Sequence, residues 1–237
     1  MRLCATAALI ATMLAGVACG RSDIFRQYEY EEEVYLSLDG YATVYVNSSV
    51  AALDALRGAS FDPAPNARFD REGVRKFFST PVTRVLQVSN SRRNNRRFIH
   101  VRMDVTDVRR LGEAAPFAWS SYRFAPEGDN YLYQQTVGPA VAKDVGKINW
   151  TGQELIAFRL HLPSTALEHN AGEENHRRGN ILVWEQPLAD RIRGQPLELF
   201  VQMEAESTLA HTLWLFGGTL VGVGAAFALV VWAIARR

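Results

Sequence analysis

The sequence has few cysteines, and this limits how the chain can be stabilised. Only Cys4 and Cys19 occur among its 237 residues. Because Cys4 lies in an apolar leader, Cys19 is the sole candidate for a mature chain, which excludes an intramolecular disulfide. The segment between the two ends is long enough to bury a hydrophobic core without such a bond.

Motifs of nucleophilic, metal and nucleotide chemistry are also missing. The sequence contains no Gly-x-Ser-x-Gly elbow, no His-Glu-x-x-His and no phosphate-binding glycine loop. We therefore predict no catalytic residue, no cofactor and no metal, and we expect a protein that is not an enzyme. An enzyme whose catalytic residues lie far apart in sequence is kept as the third hypothesis.

The chain has no excess of charge of either sign. Its 26 Lys and Arg residues include Arg2, Arg236 and Arg237, which leaves 23 against 25 Asp and Glu for the central segment. A formal charge of −2 does not favour a nucleic-acid partner. We predict that the protein binds no nucleic acid.

Two long uncharged runs lie at the ends of the chain. Arg2 and the apolar run from Leu3 to Val17, followed by Ala18, have the pattern of a secretory signal peptide. The run from Leu213 to Ala235 also has no charge, and at about 1.5 Å per residue a helix of this length exceeds a hydrocarbon core of about 30 Å. The sequence therefore predicts export and one transmembrane helix.

The terminal Arg236 and Arg237 favour the cytoplasmic side, so the central region is expected outside. We predict a single-pass protein of the bacterial cell membrane with a cytoplasmic C-terminus. The predicted segments are a signal peptide (1–18), an extracytoplasmic domain (19–207), a transmembrane helix (208–235) and a cytoplasmic tail (236–237).

Cys19 follows Gly16, Val17 and Ala18, which resembles the lipobox of bacterial lipoproteins. In that pattern the cysteine becomes the lipid-modified first residue, so Cys19 is a candidate lipidation site. The lipobox has an aliphatic residue three positions before the cysteine, where this chain has Gly16. Ordinary cleavage after Ala18 therefore stays open as the alternative.

Alternating apolar residues predict many strands in the central segment. Residues 31–47 form a predicted hairpin around Gly40, 82–88 and 99–105 pair as neighbours, and further strands follow at 116–124, 131–137, 155–162, 180–185 and 197–204. Two short helices are predicted, one from Ser48 or Ser49 to Gly58 and one from Asp70 to before Pro81, with a helical turn at 188–192. The predicted fold class is α+β, a β-rich extracytoplasmic domain of antiparallel strands with two short helices, followed by one transmembrane helix.

The order of these features resembles the LppM-like bacterial lipoproteins, which are uncharacterised envelope proteins with a C-terminal transmembrane helix. The resemblance rests on Cys19, the hairpin at 31–47, the strands Phe158-Arg159-Leu160-His161-Leu162-Pro163 and Gly179-Asn180-Ile181-Leu182-Val183-Trp184, and the final apolar run. Where the family has Pro-Gly after the first of these strands, this chain has Pro163-Ser164. The resemblance implies a mixed α/β domain, an apolar groove for lipid or glycolipid, and no catalytic signature.

Four arginines, Arg92, Arg93, Arg96 and Arg97, surround Asn94-Asn95 between two predicted strands. Guanidinium groups recognise phosphates and carboxylates through paired donors, so these residues are predicted to bind an anionic ligand. A solvated loop is the alternative, since charge runs are commonly exposed.

Two further clusters are not predicted as metal sites. The spacing of His169, Glu173, Glu174 and His176 matches no short metal motif, and these residues are interpreted as a flexible loop. Three consecutive acids, Glu31 to Glu33, lack the alternating ligands of a calcium loop.

Small residues recur every fourth position in the final run, at Gly218, Gly222 and Ala226. Such a stripe lets two helices approach closely, which predicts helix–helix packing and a homodimer through the transmembrane helix.

From the sequence we expect a membrane-anchored extracytoplasmic binding domain for lipid or glycolipid, with the membrane as its partner. The alternative is a structural or assembly protein that recruits an envelope partner.

Overall fold

The fold was described from a computed structural model, which describes residues 28–172, 177–206 and 208–236. The predicted signal peptide and Cys19 lie outside the described residues. The strands are β1 (Tyr28–Leu36), β2 (Ala42–Ser49), β3 (Thr83–Arg93), β4 (Arg96–Val105), β5 (Ser120–Glu127), β6 (Asn130–Val137), β7 (Leu155–His161), β8 (Ala166–His169), β9 (Arg177–Arg178), β10 (Ile181–Pro187) and β11 (Leu197–Glu204). The helices are α1 (Val50–Arg57), α2 (Arg71–Phe78), α3 (Leu188–Ile192) and α4 (Thr208–Ala235), with two short 3₁₀ helices at Val108–Glu113 and Ala115–Phe117.

Two sheets make up the described domain. The larger has seven strands in the order β3-β4-β2-β1-β7-β10-β9, and the smaller has four in the order β5-β6-β11-β8. Most neighbours are antiparallel, but β1 and β7 pair in parallel. A parallel pair needs a long connection, and the chain between β1 and β7 includes β2 to β6 and both early helices.

The core lies between one face of each sheet. Tyr30 and Val34 of β1 are buried there with Val44 and Val46 of β2, and Tyr133 and Val201 come from the smaller sheet. Helix α1 is entirely buried and adds Leu53 and Leu56 to this core. The other face of the seven-stranded sheet holds the polar side chains that form the site described below.

Local sequence sets the ends of the predicted helices and turns. The Ser49 side chain accepts a hydrogen bond from Ala52 N at the start of α1, and Gly58 ends the helix at a φ of 68°. Between β3 and β4, Asn94 and Asn95 have φ values of 50° and 57°. Two left-handed residues make the tight turn that matches the twist of a hairpin, and asparagine tolerates this conformation better than most residues.

The predicted fold class is wrong as a whole, although a β-rich domain is present. The described domain has three short α-helices instead of two and one parallel strand pair. Among the described residues no helix is both long enough and apolar enough to cross a membrane. The prediction of a transmembrane helix is therefore wrong.

The prediction summed apolar residues over the whole run from 213 to 235. The large apolar side chains of α4 that are described, from Leu213 to Ile234, are exposed.

Candidate functional site

Three consecutive acids in β1 have two different environments. Side chains alternate across a strand, so Glu31 and Glu33 point to the outer face of the seven-stranded sheet while Glu32 points into the core. The outer face carries a row of hydrogen-bonded side chains, and the inner face carries a buried ion pair.

The outer row crosses five neighbouring strands. Ser91 Oγ lies 2.8 Å from His100 Nε2, and His100 Nδ1 lies 2.9 Å from Asn47 Oδ1. Asn47 Nδ2 donates to Glu31 Oε2 at 3.1 Å, and Glu31 Oε1 pairs with Arg159 Nε at 2.7 Å. We call these five residues, Ser91, His100, Asn47, Glu31 and Arg159, the polar row.

An irregularity in β3 puts Ser91 in this row. Pairing between β3 and β4 shifts register between Val85 and Gln87, which leaves Leu86 as an extra residue. Val85 and Val88 are both buried, three positions apart. A bulge of this kind reverses the facing of all later residues. Without it, Ser91 would share the inward side of Val85.

A groove of about 340 Å³ is lined by four members of the polar row, Asn47, His100, Glu31 and Arg159, whereas Ser91 lies beside His100 and outside this lining. Its lining mixes both charges with aromatic rings and a carboxamide: Tyr28, Glu31, Glu33, Asn47, Arg93, Phe98, His100 and Arg159. This composition differs from the apolar groove that the family resemblance implied. A polar lining of this kind suits hydroxyl and anionic groups better than acyl chains.

Arg93 is the groove cation that has no acidic partner in the described part of the chain. Its Nη2 donates to the backbone oxygen of Tyr28 at 2.9 Å, and its guanidinium carbon lies 4.1 Å from the centre of the Phe98 ring. No described carboxylate lies within ion-pair distance of it. Burial lowers the pKa of Arg93, which nevertheless stays cationic at neutral pH.

His100 is kept neutral by its surroundings. Burial lowers its pKa first, and the nearby charge of Arg93 lowers it further. A neutral imidazole has one donor and one acceptor nitrogen. Because Nδ1 faces the carbonyl oxygen assigned to Asn47, the donor is Nδ1, and Nε2 accepts from the Ser91 hydroxyl.

At its other end the outer face holds an aromatic and acidic group. His161 Nε2 lies 2.6 Å from Glu33 Oε1, and the Tyr35 hydroxyl donates to the same oxygen at 3.1 Å. The Tyr35 ring stacks on His161 with centroids 3.8 Å apart. Burial raises the pKa of Glu33, but the hydrogen bond and charge of His161 outweigh it, so the net pKa is lowered.

The buried cluster on the inner face is built around Glu32. Arg57 Nη2 lies 2.5 Å from Glu32 Oε2, and both side chains are almost wholly buried. Tyr30, Tyr122 and Gln135 also donate to the Glu32 carboxylate. Tyr122 and Gln135 belong to the smaller sheet, so this carboxylate joins the two sheets.

The structure places all four predicted arginines in the β3–β4 hairpin, but only Arg93 lines the groove. Arg92 is exposed and donates to Pro65 O, and buried Arg97 donates to Ala67 O and Asp62 O. Arg96 pairs with Glu29 at 2.8 Å and donates to Asn149 O at 2.7 Å. Arg96 and Arg97 thus hold adjacent loops, and anionic binding by the four residues stays a prediction.

Gly218, Gly222 and Ala226 lie on α4, where a side chain built at either glycine would meet nothing within 4 Å. Helix packing through them stays a prediction.

The cluster of His169, Glu173, Glu174 and His176 was not predicted to bind a metal. Of its members, Glu173, Glu174 and His176 lie outside the described residues. Within the described ranges, no group of three or more His, Cys, Asp or Glu residues is placed to hold a metal.

Comparison with known proteins gives one structural neighbour. No protein-family model matches the chain, and no curated protein matches it. The structure is similar to the folded domain of LppM from Mycobacterium tuberculosis, solved by NMR, at 11% sequence identity and a TM-score of 0.41. The match covers 78% of this chain and 95% of that one. The suspected family and this neighbour coincide.

Proposed function

We propose that this chain is an extracytoplasmic binding domain of the bacterial envelope whose groove binds a hydroxyl-rich phosphate, such as the headgroup of a phospholipid or glycolipid. The observation that carries the proposal is Arg93, a groove guanidinium without an acidic partner in the described part of the chain, beside the polar row. The predicted signal peptide supports the extracytoplasmic location.

The groove offers separate partners for the two parts of such a ligand. The cation of Arg93 suits a phosphate, because a guanidinium presents planar, paired donors. Glu31, Glu33 and Asn47 present oxygens that accept from hydroxyl groups, and the Asn47 amide also donates. Since Glu31 and Glu33 each have a cationic or imidazole partner, they repel a phosphate less than free carboxylates would.

A lipid headgroup and a free phosphate ester have the same chemistry, so the test needs both. Glycerol phosphate is titrated into the full chain by calorimetry. Binding to vesicles of phosphatidylglycerol in phosphatidylcholine is then compared with binding to pure phosphatidylcholine vesicles. The pure phosphatidylcholine arm removes any binding that does not depend on the anionic headgroup.

The matched variants are Arg93→Met and Arg123→Met. Arg123 is an exposed arginine on the smaller sheet. Losing one charge-assisted contact corresponds to a fall of roughly 10-fold or more in affinity for Arg93→Met, with Arg123→Met unchanged. Equal affinity of Arg93→Met and wild type, or no binding of either probe by wild type, overturns the proposal.

A further inference from the structure

We propose that Ser91, His100 and Asn47 act as nucleophile, general base and orienting group, and that the groove hydrolyses carboxylic esters of hydroxyl-rich alcohols. This activity goes beyond binding, and its choice of alcohol rests on the proposed function of the groove. The three residues lie on β3, β4 and β2, which are adjacent strands of one sheet.

The nucleophile and the base are in direct contact. Ser91 is exposed, and its Oγ lies 2.8 Å from His100 Nε2. A hydroxyl is a weak nucleophile unless a neighbouring base takes its proton, and this distance permits that transfer. His100 lines the groove, so the base lies next to the space where a ligand would sit.

The orienting group holds the base in the required tautomer. Asn47 Oδ1 lies 2.9 Å from His100 Nδ1, which keeps the proton there and leaves Nε2 free to accept. Asn47 is itself held, because its Nδ2 donates to Glu31 Oε2, and Arg159 holds Glu31. The rest of the polar row thus fixes the amide and, through it, the imidazole.

The protonation state also suits a base. Burial and the charge of Arg93 lower the pKa of His100, so the imidazole is neutral at pH 7 and ready to accept a proton. Arg93 lines the same groove. Its positive charge acts on His100, so it is close enough to the base to favour negative charge that develops on a carbonyl oxygen bound there.

The reaction balances without any other reagent. Ser91 Oγ attacks the ester carbonyl carbon as its proton moves to His100 Nε2, which forms a tetrahedral oxyanion. The C–O bond to the alcohol breaks, and His100 returns the proton to the leaving oxygen. Water then attacks the acyl-serine with His100 as base, which releases the carboxylic acid and restores Ser91.

A cross-strand hydrogen-bond ladder would have the same contacts without reactivity, so the test must report covalent chemistry. The full chain is incubated with a fluorophosphonate, and the labelled residue is located by peptide mass spectrometry. Turnover of p-nitrophenyl acetate is measured in parallel. We expect a single label on Ser91, which Ser91→Ala abolishes.

The base and the orienting group have their own variants. His100→Gln is expected to slow labelling by about 100-fold or more, as for loss of a general base. Asn47→Ala is expected to slow it about 10-fold, and Asn47→Asp, which keeps the acceptor oxygen, to restore part of the rate. Ser89→Ala is the matched control, because Ser89 lies directly opposite His100 in the ladder. Denaturation midpoints show whether each variant is folded.

An unlabelled Ser91 in folded wild type, or equal labelling of wild type and folded His100→Gln, overturns the inference. The experiments distinguish a failure of the proposed hydrolysis from a failure of the proposed ligand binding. Ser91→Ala should still bind glycerol phosphate, because Arg93 and the groove acids are unchanged. Labelling of Ser91 without glycerol phosphate binding would contradict only the binding function and the choice of alcohol.

Discussion

Glu31 and Glu32 are neighbours in β1 with the same charge, yet they serve two different regions of the molecule. Glu32 lies in the buried cluster, where it receives hydrogen bonds from Tyr30 of the larger sheet and from Tyr122 and Gln135 of the smaller one. Glu31 lies on the outer face, where it links Asn47 to Arg159 beside a groove. Burial makes the inner carboxylate a structural element, whereas the partly exposed outer one is placed to help position groups that can meet a ligand. Four predictions test this contrast.

The largest effect is expected from Arg57→Met. This change leaves Glu32 as a buried charge without its cation, which costs about 3–5 kcal/mol of unfolding free energy. Urea denaturation of the full chain measures it. The double variant Glu32→Leu with Arg57→Met should recover much of the loss, because no lone charge is left. A loss below about 1 kcal/mol for the single variant would contradict the role of the cluster.

Arg96→Met should have an intermediate effect. Arg96 joins Glu29 and Asn149, and both charged side chains are largely buried. Losing charge-assisted hydrogen bonds of this kind costs roughly 1.5–3 kcal/mol. The matched control in the same hairpin is Arg92→Met, whose exposed side chain should matter less. Equal denaturation midpoints for the two variants would show that Arg96 does not hold the loop.

His100 and Glu33 should affect the stability of the fold in two different pH ranges. The pKa of His100 is lowered in the fold, so the unfolded chain takes up the proton first as pH falls below about 6.5. The unfolding free energy therefore decreases as the pH is lowered through this range. In His100→Gln the plot of unfolding free energy against pH should be flatter there. The pKa of Glu33 is also lowered, so its contribution is present above about 4.3 and is lost at lower pH.

Glu33→Gln should accordingly change only the more acidic part of the profile. Urea denaturation at a series of pH values measures both slopes. An unchanged slope near pH 6 in His100→Gln would contradict the neutral imidazole of the polar row.

The smallest effect is expected from Arg110→Ala. Arg110 pairs with Glu113 at 2.8 Å, and both side chains are more than half exposed. Solvent and salt screen such a pair, so the denaturation midpoint should not change measurably. A clearly lower denaturation midpoint for Arg110→Ala would show that the exposure of an ion pair does not predict how little it contributes to stability.

The sequence predicts the local structure better than it predicts the site. Alternation and turn residues locate β1, β2, β4 and both early helices, because each depends on neighbours along the chain. The parallel pairing of β1 with β7 depends on contacts between distant residues, and no local pattern encodes it. The four arginines lie in the predicted hairpin between β3 and β4, but the contacts of each one depend on which loop its side chain meets, and no local pattern encodes them.

The polar row was missed because the registers of four strand pairs must align to form it. Asn47 and His100 are 53 residues apart in sequence, and the facing of Ser91 depends on the extra residue Leu86 in β3. Strict alternation of side chains along β3, counted from the buried Val85, places Ser91 on the core face of the sheet. The alternating pattern of Glu31 to Glu33 was the available signal, since it already puts two acids on one face.

Chemical-shift mapping of the backbone amides of the full chain during titration with glycerol phosphate tests the central claim most directly. If the outer groove is the ligand site, the largest shifts will lie at Glu31, Asn47, His100 and residues 91–93, with little change in β5. The largest shifts in β5 or elsewhere in the smaller sheet, with the outer groove unchanged, would contradict it.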